Sequence, residues 1–411
     1  MHRLLMIAPF FPPSAVIGAH RPTKLIRRIR AFGWEPHVLT LAEGCQHDVD
    51  RSYGTDVLAS TPITRLPCRS PWHHAAQPLP RAFLSKVINR LTRRWLPVGD
   101  GLEPWIGRAT AAGVRLVQDQ KIDLIWATTP VSSIVAGSRV SRRTGVPFVA
   151  DYRDIFRPCP AEARALQGVA GITCAAPRFA EELARRYPFL AGRPQCVVHN
   201  WFEKEDAAII GPPLQFPNPT ILHGGLLGET SQPASLLEAV ATLRQRPEWH
   251  HLQFLQLGTE LARFQPLIAR LNLADAVVEK DRLGRPAFLA AAGGASILLL
   301  VVRHDLRANP HGYSAAVPAK LYDYFLAQRP ILVIGPRDCY AGQLVTQCGR
   351  GLAADDHSPG EIAAAIERLL AGQGAAGPLN LSLDAVRDYE ASAAVRKMSE
   401  FLDSLVPDST G

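Results

Sequence analysis

Four short stretches of the 411-residue chain gather residue types that can hold a phosphate or move a proton. The longest runs from Tyr313 through Ser314, Ala315, Ala316, Val317, Pro318, Ala319, Lys320, Leu321, Tyr322 and Asp323 to Pro330. Pro318 suits the first turn of a helix. Unpaired backbone N–H groups near Ala316–Lys320 would then face an anion such as a diphosphate, with Lys320 adding a positive charge. Asp323 lies three residues on, on the same helical face, where a carboxylate could accept hydrogen bonds from ribose hydroxyls. The plainer alternative is a Lys–Asp surface pair.

The second stretch is His223-Gly224-Gly225-Leu226-Leu227-Gly228, directly after a predicted strand. Glycines there permit close backbone approach to a phosphate, or simply make a turn. The third, Pro12 to Arg21, is a strand-to-helix loop. It places Gly18 and Arg21 at the carboxyl edge of a sheet, where open α/β folds bind ligands. In the fourth, Asp151-Tyr152-Arg153-Asp154 ends another strand. Asp151 and Arg153 suit acceptor positioning and Asp154 suits proton transfer, while a buried Asp–Arg pair accounts for the same residues equally well. His199 ends a later strand and is a further proton-transfer candidate. No G-x-G-x-x-G is present, which disfavours a nicotinamide cofactor. His73-His74 and His250-His251 have no acidic or thiol neighbours at ligand spacing, and H-E-x-x-H does not occur, so no metal site is expected.

These stretches need a scaffold, and the rest of the chain supplies its pattern. Short aliphatic runs alternate with amphipathic stretches from end to end, which is the signature of parallel βαβ units. Candidate strands are Arg3–Ala8, Glu35–Leu41, Asp123–Thr128, Pro147–Asp151, Gly171–Cys174 and Cys196–His199. In the second half they are Thr220–His223, Leu252–Leu257, Ala276–Val278, Ser296–Val302, Ile331–Ile334 and Gly351–Ala353. Two Rossmann-like, doubly wound parallel sheets follow. A chain of this length exceeds one hydrophobic core, and prolines and glycines interrupt regular structure between Asn200 and Pro219. Domains are therefore expected at residues 1–205 and 206–382, with a last helical segment, 383–411, packing back across the lobes. Helices are expected at Pro22–Phe32, capped by Gly33, and at Ile362–Leu370 behind a capping box of Ser358 and Glu361.

Composition is that of ordinary globular protein, 47% hydrophobic and 20% charged, and the formal charge of +8 favours anionic partners. No zinc-finger spacing, basic-zipper or ribonucleoprotein signature points to nucleic acid. The seven scattered cysteines form no C-x-x-C pair and suggest a reducing, cytoplasmic setting. Residues 81–96 place Leu84, Val87, Ile88, Leu91 and Trp95 on one helical face and Lys86, Arg90, Arg93 and Arg94 on the other. Such a helix can lie on an anionic membrane surface, or can be a surface helix whose apolar stripe is core.

Together, Phe10-Phe11-Pro12-Pro13 with Gly18 and Arg21, Asp151 to Asp154, Asn200-Trp201, Gly224-Gly225 and the Pro318 to Pro330 block resemble the retaining GT-B glycosyltransferases of family four, in the family's order. The resemblance implies two domains facing a cleft and metal-independent transfer of a sugar with retention. A nucleotide-sugar donor, as substrate with no further cofactor, would bind the C-terminal domain through Gly224, Gly225, Ser314, Lys320 and Asp323, helped by Gly18 and Arg21. A glycan or lipid-linked acceptor would bind the N-terminal domain. The family's donor motif has two glutamates; Asp323 matches the second and Ala315 stands where the first would be. The basic pair that many members carry after the second glycine loop is missing around Leu226–Gln232, and Lys320 is the cation available to compensate. A GT-B epimerase acting on the donor itself, or a non-catalytic GT-B subunit, would share this pattern.

Overall fold

The computed structural model describes residues 1–46, 48–68, 98–209, 211–225, 227, 233–258, 261–302 and 315–406. The chain forms two compact units. One comprises Met1–His199 together with Ala391–Gly411, the other Asn200–Glu390.

The first unit is built on a parallel sheet of seven strands: β1 (His2–Ile7), β2 (Trp34–Leu41), β3 (Ile63–Leu66), β4 (Leu124–Thr128), β5 (Phe148–Tyr152), β6 (Gly171–Cys174) and β7 (Gln195–Val197). Their order is β3-β2-β1-β4-β5-β6-β7. Leu4–Ile7 of β1 and all of β4 and β5 are buried, because parallel strands are covered by helices on both faces. The winding reverses between β1 and β4, and the segments after those two strands carry Gly18 and Thr129. The second unit has β8 (Thr220–Gly224), β9 (Gln253–Leu257), β10 (Val277–Lys280), β11 (Ile297–Val301), β12 (Ile331–Gly335) and β13 (Gly351–Asp355) in the order β10-β9-β8-β11-β12-β13. Its winding reverses between β8 and β11, so that the Gly224-Gly225 loop follows a strand at the switch point.

Strand β3 was not expected. Its residues, Ile-Thr-Arg-Leu, are all only half-buried at the sheet's margin, so no apolar run announces it. The first helix spans His20–Ile29 and tightens into a 3-10 turn over Arg30–Phe32. That turn ends on Gly33, whose φ of +88° supplies the left-handed cap. The capping box does not form: Ser358 precedes the helix Pro359–Leu370 without a side-chain cap bond, and Glu361 instead accepts from Arg337 Nη2 at 2.5 Å. The terminal helical stretch divides at Glu390, whose ψ of 150° is extended. The 3-10 turn Leu383–Tyr389 stays with the second unit, where Phe202 N donates to Tyr389 O at 3.0 Å. The helix Ala391–Asp403 belongs to the first. It buries Ala391, Ala394, Val395, Met398 and Leu402, and accepts a hydrogen bond from Trp34 Nε1 on Asp403 at 2.8 Å. Among the described residues no helix is long and apolar enough to cross a membrane. Residues 81–96 lie outside the described residues.

Candidate functional site

In the second unit, the helix Lys320–Ala327 begins two residues after Pro318, with Ala319 as its cap and Leu321 N donating to Pro318 O at 2.9 Å. The helix therefore starts later than proline placement suggests, and Lys320 is its first residue. The Lys320 ammonium donates to Gly224 O at 2.7 Å and lies 3.1 Å from His223 Nε2. The glycine loop and the lysine, 96 residues apart, thus meet at one spot. Gly225 adopts φ +109°, and a Cβ there would stand 3.1 Å from Lys320 Nζ. A Cβ on Gly224 would collide with the Phe288 ring at 2.2 Å. What the two glycines admit is therefore a lysine and an aromatic ring. Their own N–H groups are occupied: Gly224 N donates to Tyr324 Oη at 3.4 Å and Gly225 N to Leu257 O at 2.8 Å.

The tautomer of His223 follows from its partners. Gln256 Nε2 donates to Gly225 O at 2.6 Å, so its Oε1, 2.8 Å from His223 Nδ1, must accept. Nδ1 then carries the proton and Nε2 accepts from Lys320. Burial, reinforced by the lysine's charge, pushes His223 down to about 3, although the bond to Gln256 works the other way. A neutral histidine and a backbone carbonyl hold the ammonium here.

Asp323 sits one turn along the same helix. Its Oδ1 accepts from Arg285 Nη2 at 2.7 Å, and Arg285 Nη1 donates to Asp206 at 2.6 Å. The arginine bridges two carboxylates, while Oδ2 of Asp323 accepts no hydrogen bond among the described residues. Ala315 is buried and offers no polar group. Ser314, Leu226 and Gly228 lie outside the described residues. Sequence reasoning overlooked Arg285 and Gln256, because nothing in the chain near Lys320 points 35 or 64 positions upstream to the residues that pair beside it.

In the first unit the expected residues separate into two groups. Arg21 and Asp151 are 3% and 0% exposed. Arg21 Nη2 donates to Asp151 Oδ1 at 2.9 Å and Nε to Oδ2 at 3.1 Å. Thr173 Oγ1 and Thr128 Oγ1 each donate to one carboxylate oxygen at 2.7 Å. Asp151 is thus in a buried ion pair, but with Arg21 and not with Arg153 of its own stretch. Burial leaves Arg21 and Asp151 almost no surface to offer a donor or an acceptor directly. His199, whose carbonyl accepts from Arg21 Nη1 at 3.3 Å, is lowered to about 4 by burial and then by Lys397 and Arg21. Its ring is neutral at neutral pH and a weak base.

Arg153 is different. Its Nε and Nη2 grip Thr129 O at 3.0 and 2.6 Å. Its guanidinium lies over Gly18, where a Cβ would come within 2.6 Å of Nη1. Gly18 thus makes room for an arginine of the same unit. Asp154 is solvent-exposed, yet surrounding protein raises its carboxyl pKa against the pull of Arg153. No group of three or more His, Cys, Asp or Glu side chains among the described residues is arranged to hold a metal ion.

No family model matches the chain, and no curated protein does. Solved structures do. A glycosyltransferase from Rickettsia africae ESF-5 superposes with a TM-score of 0.69 at 11% identity, over 99% of each chain. The sucrose-phosphate synthase of Thermosynechococcus elongatus gives 0.65 at 14%, over 98% of this chain and 99% of its own. HepE of Anabaena in complex with UDP gives 0.61 at 14%, over 98% and 100%. At such identities the likeness establishes the fold, a GT-B pair of Rossmann-like α/β units.

Proposed function

We propose that the protein is a glycosyltransferase that moves a sugar from a nucleotide-diphosphate donor to a glycan or lipid-linked acceptor, with retention and without a metal ion. The observation that carries this reading is the Lys320 ammonium, held by Gly224 O and the neutral His223 at the switch point of the second sheet. A cation held at that spot would meet a diphosphate. As the bond between the sugar's anomeric carbon and the diphosphate oxygen breaks, negative charge grows on the leaving phosphate. A fixed cation there lowers the barrier more than it tightens the ground state. Lys320 would serve where the basic pair of related glycosyltransferases is missing. Asp323 Oδ2 would accept a ribose hydroxyl, with Arg285 fixing the carboxylate from its other side. In the first unit Asp154, exposed and raised toward protonation, would contact the acceptor hydroxyl. The UDP bound by HepE, which shares the fold, supports a uridine nucleotide as the first to try. Residues 81–96 would hold the enzyme on the cytoplasmic face of an anionic membrane.

Calorimetry separates the two donor contacts. Lys320→Ala should weaken UDP by about 10- to 100-fold, roughly 1–3 kcal/mol, and leave uridine nearly unchanged. Asp323→Ala should weaken both. Unchanged UDP affinity in both folded variants overturns the donor site. Tight binding of UDP-glucose with no release of UDP in an acceptor panel would make the protein a non-catalytic subunit, the reading that Ala315 favours.

A further inference from the structure

Three buried or half-buried arginines of the first unit rest on carboxylates: Arg21 on Asp151 at 2.9 Å, Arg30 on Glu35 at 2.8 Å and Arg186 on Glu182 at 2.5 Å. Half-buried Arg65 has carbonyls instead, with Nη1 donating to Leu41 O at 3.5 Å and Nη2 to Pro12 O at 2.6 Å. Arg153 has less than either kind. Its grip on Thr129 O uses Nε and Nη2, while Nη1 donates to nothing among the described residues, and no carboxylate there stands within ion-pair distance. Asp154 and Asp151 act on it only from beyond that distance, and a half-buried guanidinium with no paired carboxylate is costly unless an anion completes it.

Everything around that guanidinium fixes it in place. Thr129 directly follows β4, Gly18 lies in the segment after β1, and Arg153 directly follows β5, so the group sits at the carboxyl edge beside the switch point. The bidentate hold on one carbonyl sets the plane of the fork, and the bare Cα of Gly18 lets it lie against the backbone. Its neighbour Asp154 is exposed and has no hydrogen-bonded partner among the described residues. A fixed fork beside an exposed carboxylate matches a ligand that carries both a phosphate and a hydroxyl, because planar donors recognise phosphate oxygens and carboxylates accept from hydroxyls.

We infer that Arg153, seated on Gly18 and Thr129, is a phosphate-binding residue of the first unit, with Asp154 accepting a hydroxyl of the same ligand. The choice of phosphate as the anion rests on the transferase reading above. Two sources supply that chemistry: the nucleotide diphosphate of the donor and a phosphorylated or lipid-diphosphate acceptor.

The test uses the full chain carrying Lys320→Ala, so that the donor lysine contributes nothing. The parent should bind inorganic pyrophosphate in calorimetry, and adding Arg153→Gln should weaken it at least 10-fold. Arg153→Lys keeps the charge but loses the fork and should fall between them. Gly18→Ala should also weaken it, because its Cβ would displace Nη1 without changing charge. If Arg153→Gln fails to fold, Gly18→Ala and Arg153→Lys decide. UDP and farnesyl diphosphate are then titrated separately. Loss of UDP affinity in the Arg153 variants identifies the donor's phosphates, and loss of farnesyl diphosphate affinity identifies an acceptor's. No pyrophosphate binding in the parent, or equal binding in parent and variants, overturns the inference. Because Lys320 is already absent, either result stands apart from the success or failure of the Lys320 donor site.

Discussion

The Arg21–Asp151 pair in the first unit and the Lys320 ammonium in the second both lie beside the switch point of a parallel sheet, yet their surroundings are opposite. Arg21 meets a carboxylate that also takes two threonine hydroxyls, and nothing of Asp151 remains exposed. Lys320 meets a carbonyl and a histidine kept neutral by burial. The first arrangement neutralises a charge and locks β4, β5 and β6 to the first helix. The second joins the glycine loop to the start of a helix through a carbonyl and a ring nitrogen. Position at a sheet's carboxyl edge therefore does not by itself mark a ligand contact; what separates the two sites is burial, complete for Asp151 and partial for Lys320.

The largest effect should come from breaking the closed pair. Asp151→Ala leaves the buried Arg21 without a counter-charge and two threonine hydroxyls without an acceptor. The cost should be about 3–5 kcal/mol. Urea denaturation measures it, with Lys320→Ala as the contrast, expected to cost under about 1 kcal/mol because that ammonium is only half-buried. A cost for Asp151→Ala as small as that of Lys320→Ala would erase the distinction between the sites.

A smaller effect depends on pH. In the unfolded chain His223 takes a proton near its ordinary value of about 6.5, whereas in the folded protein it resists until about 3. Between those values the unfolded state binds more protons, so stability present above pH 6.5 is lost as the pH falls toward 3. His199, lowered to about 4, acts in the same sense. His223→Gln should flatten the decline of melting temperature between pH 7 and 4.5. Lys320→Met should flatten it less, since the lysine's charge is the secondary cause and burial the first. An unchanged slope in His223→Gln would mean that the folded histidine titrates as it does in the unfolded chain, and that a buried neutral ring accepting from Lys320 is not what the protein holds.

The alternation of runs such as Leu-Ile-Trp-Ala-Thr and Ile-Leu-Leu-Leu-Val with helical stretches made both sheets readable, since buried parallel strands need continuous apolar sequence. Only the half-buried β3 escaped. Meeting points were harder. The glycine loop and Lys320 were each visible, but that the glycines admit the lysine and Phe288 depends on how β8 packs against two later helices, Arg285–Gly294 and Lys320–Ala327. Arg21 and Asp151 were visible as chemistry-bearing types, yet their mutual burial across 130 residues was not. Spacing reports neighbours along an element, whereas ion pairs across elements are set by the sheet's order.

The smallest expected effect tests whether Arg285 only anchors Asp323 or also touches the ligand. Its fork bridges Asp206 and Asp323, and the three side chains are 36%, 20% and 24% exposed, so water screens the pairs. Asp206→Asn should therefore cost at most about 1 kcal/mol of stability and leave uridine affinity unchanged, because Asp323 keeps its own contact with the arginine. Arg285→Gln removes the anchor from Asp323 while leaving the carboxylate present. If Oδ2 of Asp323 is the ribose contact, the freed carboxylate must pay rotamer entropy on binding, and uridine should weaken by roughly threefold, well short of the loss in Asp323→Ala. The double variant Arg285→Gln/Asp323→Ala should then bind uridine no worse than Asp323→Ala alone, because the arginine acts only through the carboxylate. A further loss in the double variant would put Arg285 itself in contact with the nucleoside, and would make it a ligand contact as well as an anchor for Asp323.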